Sequence, residues 1–354
     1  MTIAYVVTTI NAPNQVLRSI AEGCQRIAAP FIVVGDAKTP EGFALDGATY
    51  LDLQRQVDSG FGYARQCPVG HYARKNIGYL EAVRMGADVI RETDDDNHPR
   101  PSFFEAPKLV HRARVLSGTE WINVYRYFTD RLVWPRGFPL DEVQAAVPEL
   151  PQDTIQVAAP IQQGLADENP DVDAIFRLVH SLPLHFNEGD PLALSTGSWC
   201  PFNSQNTTYF EVAFPLLYLP ALCSFRMTDI WRSFVAIRIS HANGWPILFH
   251  SASVRQERNE HNLMRDFEDE IDGYRHNRKI VEKLKATSVN AGPANVPEGM
   301  RACYLGLVDG GFLPAGELDL LDSWLADLAA LFAGRTEAKG SIVRSDARIA
   351  ARGS

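Results

Sequence analysis

The chain has 354 residues, 45% apolar and 22% charged, with a formal net charge of −9. This is globular composition, enough for one large α/β domain or two lobes, and its acidity argues against non-specific binding to nucleic-acid phosphates. The five cysteines (Cys24, Cys67, Cys200, Cys223, Cys303) are scattered and never spaced as CxxC, which excludes a zinc site or disulfide framework and fits reduced thiols.

"IAYVVTTI" (3–10) is a short β-branched apolar run that reads as a strand, with no signal peptide ahead of it. A helical stretch around "NQVLRSIAEGCQRIA" follows, then a second buried-strand pattern, "PFIVVGD" (30–36). A loop holding "ATYLDL" leads to a helix predicted over 73–85, where Ile77, Leu80 and Val83 recur three apart and Gly86 supplies the stop. "ADVIRE" (87–92) is the next strand. Such alternation predicts a parallel sheet with helical crossovers, whose ligands bind beyond the carboxyl ends of the strands. All three strand ends are polar: Thr8 and Thr9, then Asp36, then the run Asp94 to Asn97.

Residues 100–200, rich in Pro and aromatics with weak periodicity, read as long loops and short elements lining a cleft. "YFEVAFPLLYLPALCSF" (209–225) carries a glutamate and two prolines, so it reads as core and not as a membrane span. Helices are predicted over 228–242, 261–286 and about 316–333, a strand over "GWPILFHS" (244–251), and a disordered tail over 336–354. The expectation is one domain over 1–335, with a nucleotide-binding half (1–100) and an acceptor-binding half (101–335), in a cytoplasmic protein without a membrane span.

If the extended geometry continues past the third strand, Asp94 and Asp96 share one side and Asp95 points the other way. Two hard oxygen ligands suit Mg²⁺ or Mn²⁺; the plainer reading of "DDDNHP" is turn chemistry. Arg74 and Lys75 occupy a helix first turn, where the dipole favours acids. They are either solvated surface charges or contacts for a diphosphate. Arg255 and Arg258 offer bidentate phosphate contacts. The amides of "NSQNT" (203–207) suit sugar hydroxyls or turns, and Asp171 and Asp173 suit a helix cap or a sugar contact.

"ARKNIGYLEAVRMGADVIRETDDD" resembles the donor-binding segment of GT-A glycosyltransferases, in which a helix opening Ala-Arg-x-Asn leads to a strand and a DxD motif. "KNIGYL", "TDDDN", "PIQQGLADENPDVDAIFRL", "NSQNT", "TDIWRS" and "VRQERNEHNLMRDFEDEI", in that order, resemble the STELLO-type glycosyltransferases over about residues 5–335. More distantly they resemble the reversibly glycosylated polypeptides, which are nucleotide-sugar mutases. The resemblance implies an α/β, GT-A-type fold: a Rossmann-like mixed sheet flanked by helices. It implies metal-dependent transfer of a sugar from a nucleotide-sugar donor (UDP- or another NDP-sugar) to a carbohydrate or other hydroxyl acceptor. Thr8, Thr9 and Asp36 would then meet the nucleoside and Arg74 the diphosphate. Asp94, with Asp95 beside it, would sit by ribose or metal, and Asp96 would bind Mn²⁺ or Mg²⁺ directly, with His250 completing the site. Asp229 would be the base for the acceptor hydroxyl, the alternative being a helix cap. The rival functions are a pyranose/furanose mutase and a non-catalytic scaffold of a polysaccharide-synthesis complex. An oligomer is compatible with all three.

Overall fold

The β-branched runs at the start of the chain become the parallel half of one sheet in the computed structural model. The structure describes residues 1–258 and 262–335, and beyond these the backbone of the last helix through Ala350. The tail expected over 336–354 lies outside the residues described with side chains. Strands β1 (Ile3–Thr8), β2 (Phe31–Val34), β3 (Thr49–Leu51) and β4 (Val89–Thr93) run parallel, ordered β3-β2-β1-β4. After the short β5 (Asn97–Pro99) come β6 (Val110–Leu116), β7 (Ile155–Ala158), β8 (Ile161–Asp167), β9 (Leu192–Leu194), β10 (Asn206–Phe210) and β11 (Ile247–Gln256). The order continues β10-β8-β11-β9-β6-β7. β10 is antiparallel to both neighbours, β8 and β11 are parallel to each other, and β5 pairs with the end of β11. The expected Rossmann-like mixed sheet of the α/β class is therefore present.

These directions bring the carboxyl ends of β1, β2, β4, β8 and β11 and the amino end of β10 to one edge. Thr9, Asp36, the acidic run, Asp167, Gln256 and the Asn203–Asn206 loop all gather there.

Helix α1 (Gln15–Arg26) follows β1, and the short α2 (Leu53–Asp58) and α3 (Gly62–Gln66) precede α4 (Lys75–Arg84). The helix expected over 73–85 is α4, and its residues Lys75 through Val83 are all buried. One face lies on the sheet so closely that a Cβ on Gly78 would come 2.7 Å from Val6 and Val34. The expected stop is real: Gly86 adopts φ 87°, a conformation glycine reaches without steric penalty. Helices α5 (Ala174–Val179), α6 (Thr228–Asn243), α7 (Leu263–Ala286), α8 (Val296–Asp309) and α9 (Gly316–Ala350) complete the molecule. Trp324 of α9 is fully buried, edge-on to Tyr63.

Three expectations need correction. The stretch "ATYLDL" is β3 leading into α2. The region read as loops contains β8, a wholly buried central strand, disguised by the polar side chains of "IQQGLAD". Those side chains are satisfied internally: Gln162 donates to the carbonyls of Lys108 and Ala159, and Gln163 to those of Gly164 and Asn206. The strand expected over 244–251 continues to Gln256, which carries it to the polar edge.

Candidate functional site

Beyond β4 the chain does not stay extended. The Asn97 amide donates to the Asp94 carbonyl (3.3 Å), closing a tight turn that re-enters the sheet as β5. Consequently the three carboxylates take their protein partners from three different walls, as a fan. Asp94 Oδ1 accepts from the Tyr72 hydroxyl (2.6 Å) and from Lys75 Nζ (3.1 Å). Asp95 Oδ2 accepts from Thr9 Oγ1 (2.5 Å) and Asn11 Nδ2 (2.9 Å), while its carbonyl takes a bond from Asn14 Nδ2. Asp96 accepts from Gln256 Nε2 at 3.0 and 3.1 Å, at the end of β11. Burial raises the Asp95 carboxyl above the usual range despite the donors from Thr9 and Asn11.

Lys75 is fully buried. Its ammonium donates to the Tyr72 hydroxyl and the Thr93 carbonyl (both 2.7 Å), to Asp94, and to the Ser204 carbonyl at 3.4 Å. It is neither a solvated charge nor a free diphosphate ligand, because its donors are engaged in fastening the end of β4 to the β10 loop. Arg74 is equally inward. Its guanidinium bonds Gln56 Oε1 (2.7 Å) and the Cys67 carbonyl (3.0 Å), so this structure gives it a bracing place and not the expected diphosphate contact. Asp36 accepts from the backbone amides of Gly70 (2.8 Å) and His71 (2.9 Å), organising the loop ahead of α4. Thr8 ends β1 opposite Val34, and the Thr9 carbonyl accepts from Thr39.

Asp229 lies in the first turn of α6 but caps nothing; that helix has no side-chain cap bond. Its Oδ2 accepts from Arg136 (2.9 Å) and from the amide and hydroxyl of Ser204 (both 3.1 Å). Burial alone would raise its carboxyl, but the guanidinium groups of Arg136 and Arg232 overcome this and hold it below the usual range. A buried, ion-paired carboxylate of lowered basicity is poorly suited to be the expected base. The Ser204 hydroxyl, 2.7 Å from that of Tyr72, continues the chain to Asp94. A connected path therefore runs from Asp171 through Arg136, Asp229, Ser204 and Tyr72 to Asp94.

His250 is corrected by register. It pairs with Gly164, six residues before Gln256, the residue that touches Asp96. At about 3.3 Å per residue the separation is roughly 20 Å, and the bulge between His250 and Val254 shortens it too little for both residues to ligate one ion. Burial lowers this imidazole to about 4. Among the described residues no group of three or more His, Cys, Asp or Glu is arranged to hold a metal. Arg255 pairs with Glu168 (3.4 Å) and Arg258 with Asp266 (2.6 Å). Asp173 caps α5, accepting from the Phe176 amide at 2.7 Å. The "NSQNT" amides largely brace the strand ends, as when Asn206 donates to the Leu165 carbonyl and Ser253.

Sequence reasoning passed over Tyr72, Arg136, Ser204 and Gln256. Ser204 and Gln256 lie inside the quoted motifs, so that signal was present. Nothing in the spacing marks Tyr72 or Arg136, which matter through contacts 22 and 93 residues away.

Residues 226–336, which begin just ahead of α6 and run into α9, match the model of the STELLO glycosyltransferases. The chain is 27% identical over 353 residues to "Probable glycosyltransferase STELLO1" of Arabidopsis thaliana, covering 92% of this chain and 44% of that protein. STELLO2 of the same plant is 27% identical over 346 residues, covering 91% and 44%. The chain thus spans less than half the length of these relatives. Solved structures give weaker likenesses, each at 9% identity over 80% of this chain. One is a mycobacterial protein (TM-score 0.37, 73% of that chain) and the other the M. tuberculosis glucosyl-3-phosphoglycerate synthase (TM-score 0.34, 79% of that chain). No helix among the described residues is long and apolar enough to cross a membrane.

Proposed function

We propose that this chain is a glycosyltransferase that takes a sugar from a nucleotide-sugar donor and delivers it to an acceptor hydroxyl, with the acidic turn at its centre. The observation that carries the reading is the fan of Asp94, Asp95 and Asp96, each fastened by a different element of the sheet edge. A turn of purely local purpose has no need of Lys75, Thr9 and Gln256 converging from three directions. The similarity to the STELLO glycosyltransferases supports the same reading.

The donor set fits a hard divalent cation. Asp96 offers a carboxylate, and Asp94, whose side chain is 26% exposed, commits only Oδ1 to protein partners. Mg²⁺ and Mn²⁺ need only one or two carboxylates when waters and substrate phosphates complete the shell. Asp96 with Asp94 would hold the ion, without His250. Bound there, such a cation supplies Lewis-acid stabilisation to the departing diphosphate.

The chain's own groups do the rest. Lys75 fixes the direction of Asp94 through its 3.1 Å contact with Oδ1. Thr9 and Asn11 hold Asp95 against the end of β1, where the nucleoside would lie beside Asp36. Asp229 is a positioning residue that orients Ser204, and through Ser204 the Tyr72 hydroxyl. The test is a mass-spectrometric screen of nucleotide sugars against the full chain with and without Mn²⁺. Turnover of one donor to its nucleoside diphosphate is expected, and its absence across the panel would reject the reading.

A further inference from the structure

We propose that Arg177, Arg226 and Arg258 form an oxyanion subsite on the acceptor side of the acidic turn, so that the acceptor carries a phosphate ester. This rests on the glycosyltransferase reading and names its substrate class. The three arginines come from separate elements: α5, the turn ahead of α6, and the chain just beyond β11. Their charges bear on one another. Burial first, then Arg258 and Arg226, push the Arg177 guanidinium down to about 9.

The carboxylates around them are already committed. Asp171 holds Arg136 with both oxygens, Glu270 holds Arg226 and the Ala174 amide, Asp266 holds Arg258, and Asp173 caps α5. Arg177 is left with neutral partners alone: the Pro170 carbonyl at 2.9 Å and Asn169 Oδ1 at 3.4 Å, with its Nε buried and without a partner among the described residues. A tetrahedral phosphate suits a guanidinium that has no carboxylate partner, because the planar fork offers paired donors that a compact point charge lacks.

The cluster is also joined to the acidic turn. Asn169, which faces Arg177, donates to the Gln256 carbonyl (3.1 Å), and the Gln256 side chain reaches Asp96. The side of the turn toward β1 is walled by Thr9, Asn11 and Asn14, so the arginines stand across the turn from the donor wall.

The test is direct binding to the full chain, by calorimetry, of inorganic phosphate, glycerol 3-phosphate and UDP. Phosphate and glycerol 3-phosphate should bind with dissociation constants on the order of millimolar. Arg177→Gln should weaken both roughly tenfold and leave UDP unchanged. Arg265→Gln, a nearby exposed arginine, should alter none of them. Should Arg177→Gln fail to fold, Arg258→Gln gives the same comparison. Failure of wild type to bind either phosphate overturns the subsite, as does an Arg177→Gln protein with wild-type phosphate affinity. Loss of UDP binding with glycerol 3-phosphate retained would move the cluster to the donor and overturn the acceptor assignment. Absence of UDP binding to wild type is the separate readout against the donor reading itself, and removes the basis for an acceptor assignment with it.

Discussion

Lys75 is charged at a helix start, where the dipole disfavours it, and is buried as well. It persists because four oxygens surround its ammonium, one of them the Asp94 carboxylate. Replacing it with methionine keeps the volume but leaves Asp94 and the Thr93 carbonyl without their cation. The expected loss is about 3 kcal/mol of stability, checked by urea denaturation, and a loss within about 0.5 kcal/mol would contradict the clamp. Asp229 makes a second prediction, with a pH signature. Its carboxyl is held below its unfolded value, so its contribution is complete above about pH 4. That contribution is lost as pH falls through the lower folded value. Asp229→Asn should therefore cost roughly 3 kcal/mol near neutrality, with the gap to wild type narrowing only below about pH 4. Melting temperatures measured from pH 3 to 7 test this; a gap that narrows on going up from pH 5 to 7 would be the wrong sign.

At the scale of elements, the buried carboxylate of Glu317 is one of the ties between α9 and the site half. Glu317 accepts from the Tyr218 hydroxyl (2.5 Å) and from the amides of Ala221 and Leu222, the loop that also meets α4 where Asn76 bonds Leu219. Glu317→Ala orphans those buried donors and should cost about 2–3 kcal/mol, read as lowered thermal stability and faster amide exchange at Ala221 and Leu222. Unchanged exchange there would deny the tie. The same elements explain what was legible in the sequence. Strands β1, β2 and β4 and helix α1 announced themselves by apolar runs and turn residues, because their burial is of the ordinary one-sided or core kind. β8 escaped because the buried amides of Gln162 and Gln163 find acceptors only in the folded chain, at the Lys108 carbonyl and at Asn206 of β10. α4 was seen as a helix, but not as one buried all round, since the partners of Lys75 and Asn76 lie far along the chain.

In the whole molecule, a parallel sheet half and an antiparallel-flanked half share one polar edge, and the acidic turn lies where they meet. The sequence located that turn and named its aspartates, because clustered like charges at a strand end are visible without coordinates. It did not reveal the fan, which depends on β11 reaching Gln256, or the displacement of His250, which is a matter of register. Nor did it reveal that Asp229 is neutralised by Arg136 from a region without periodicity. The central claim is that Asp96 and Asp94 seat a cation that brings a nucleotide diphosphate. Calorimetric titration of UDP into wild type and Asp96→Asn, each with and without Mn²⁺, tests it most directly. A cation seat at Asp96 predicts Mn²⁺-enhanced binding by wild type and a loss of that enhancement, by roughly tenfold or more, in a folded Asp96→Asn protein. Equal Mn²⁺ enhancement in the two proteins would contradict it.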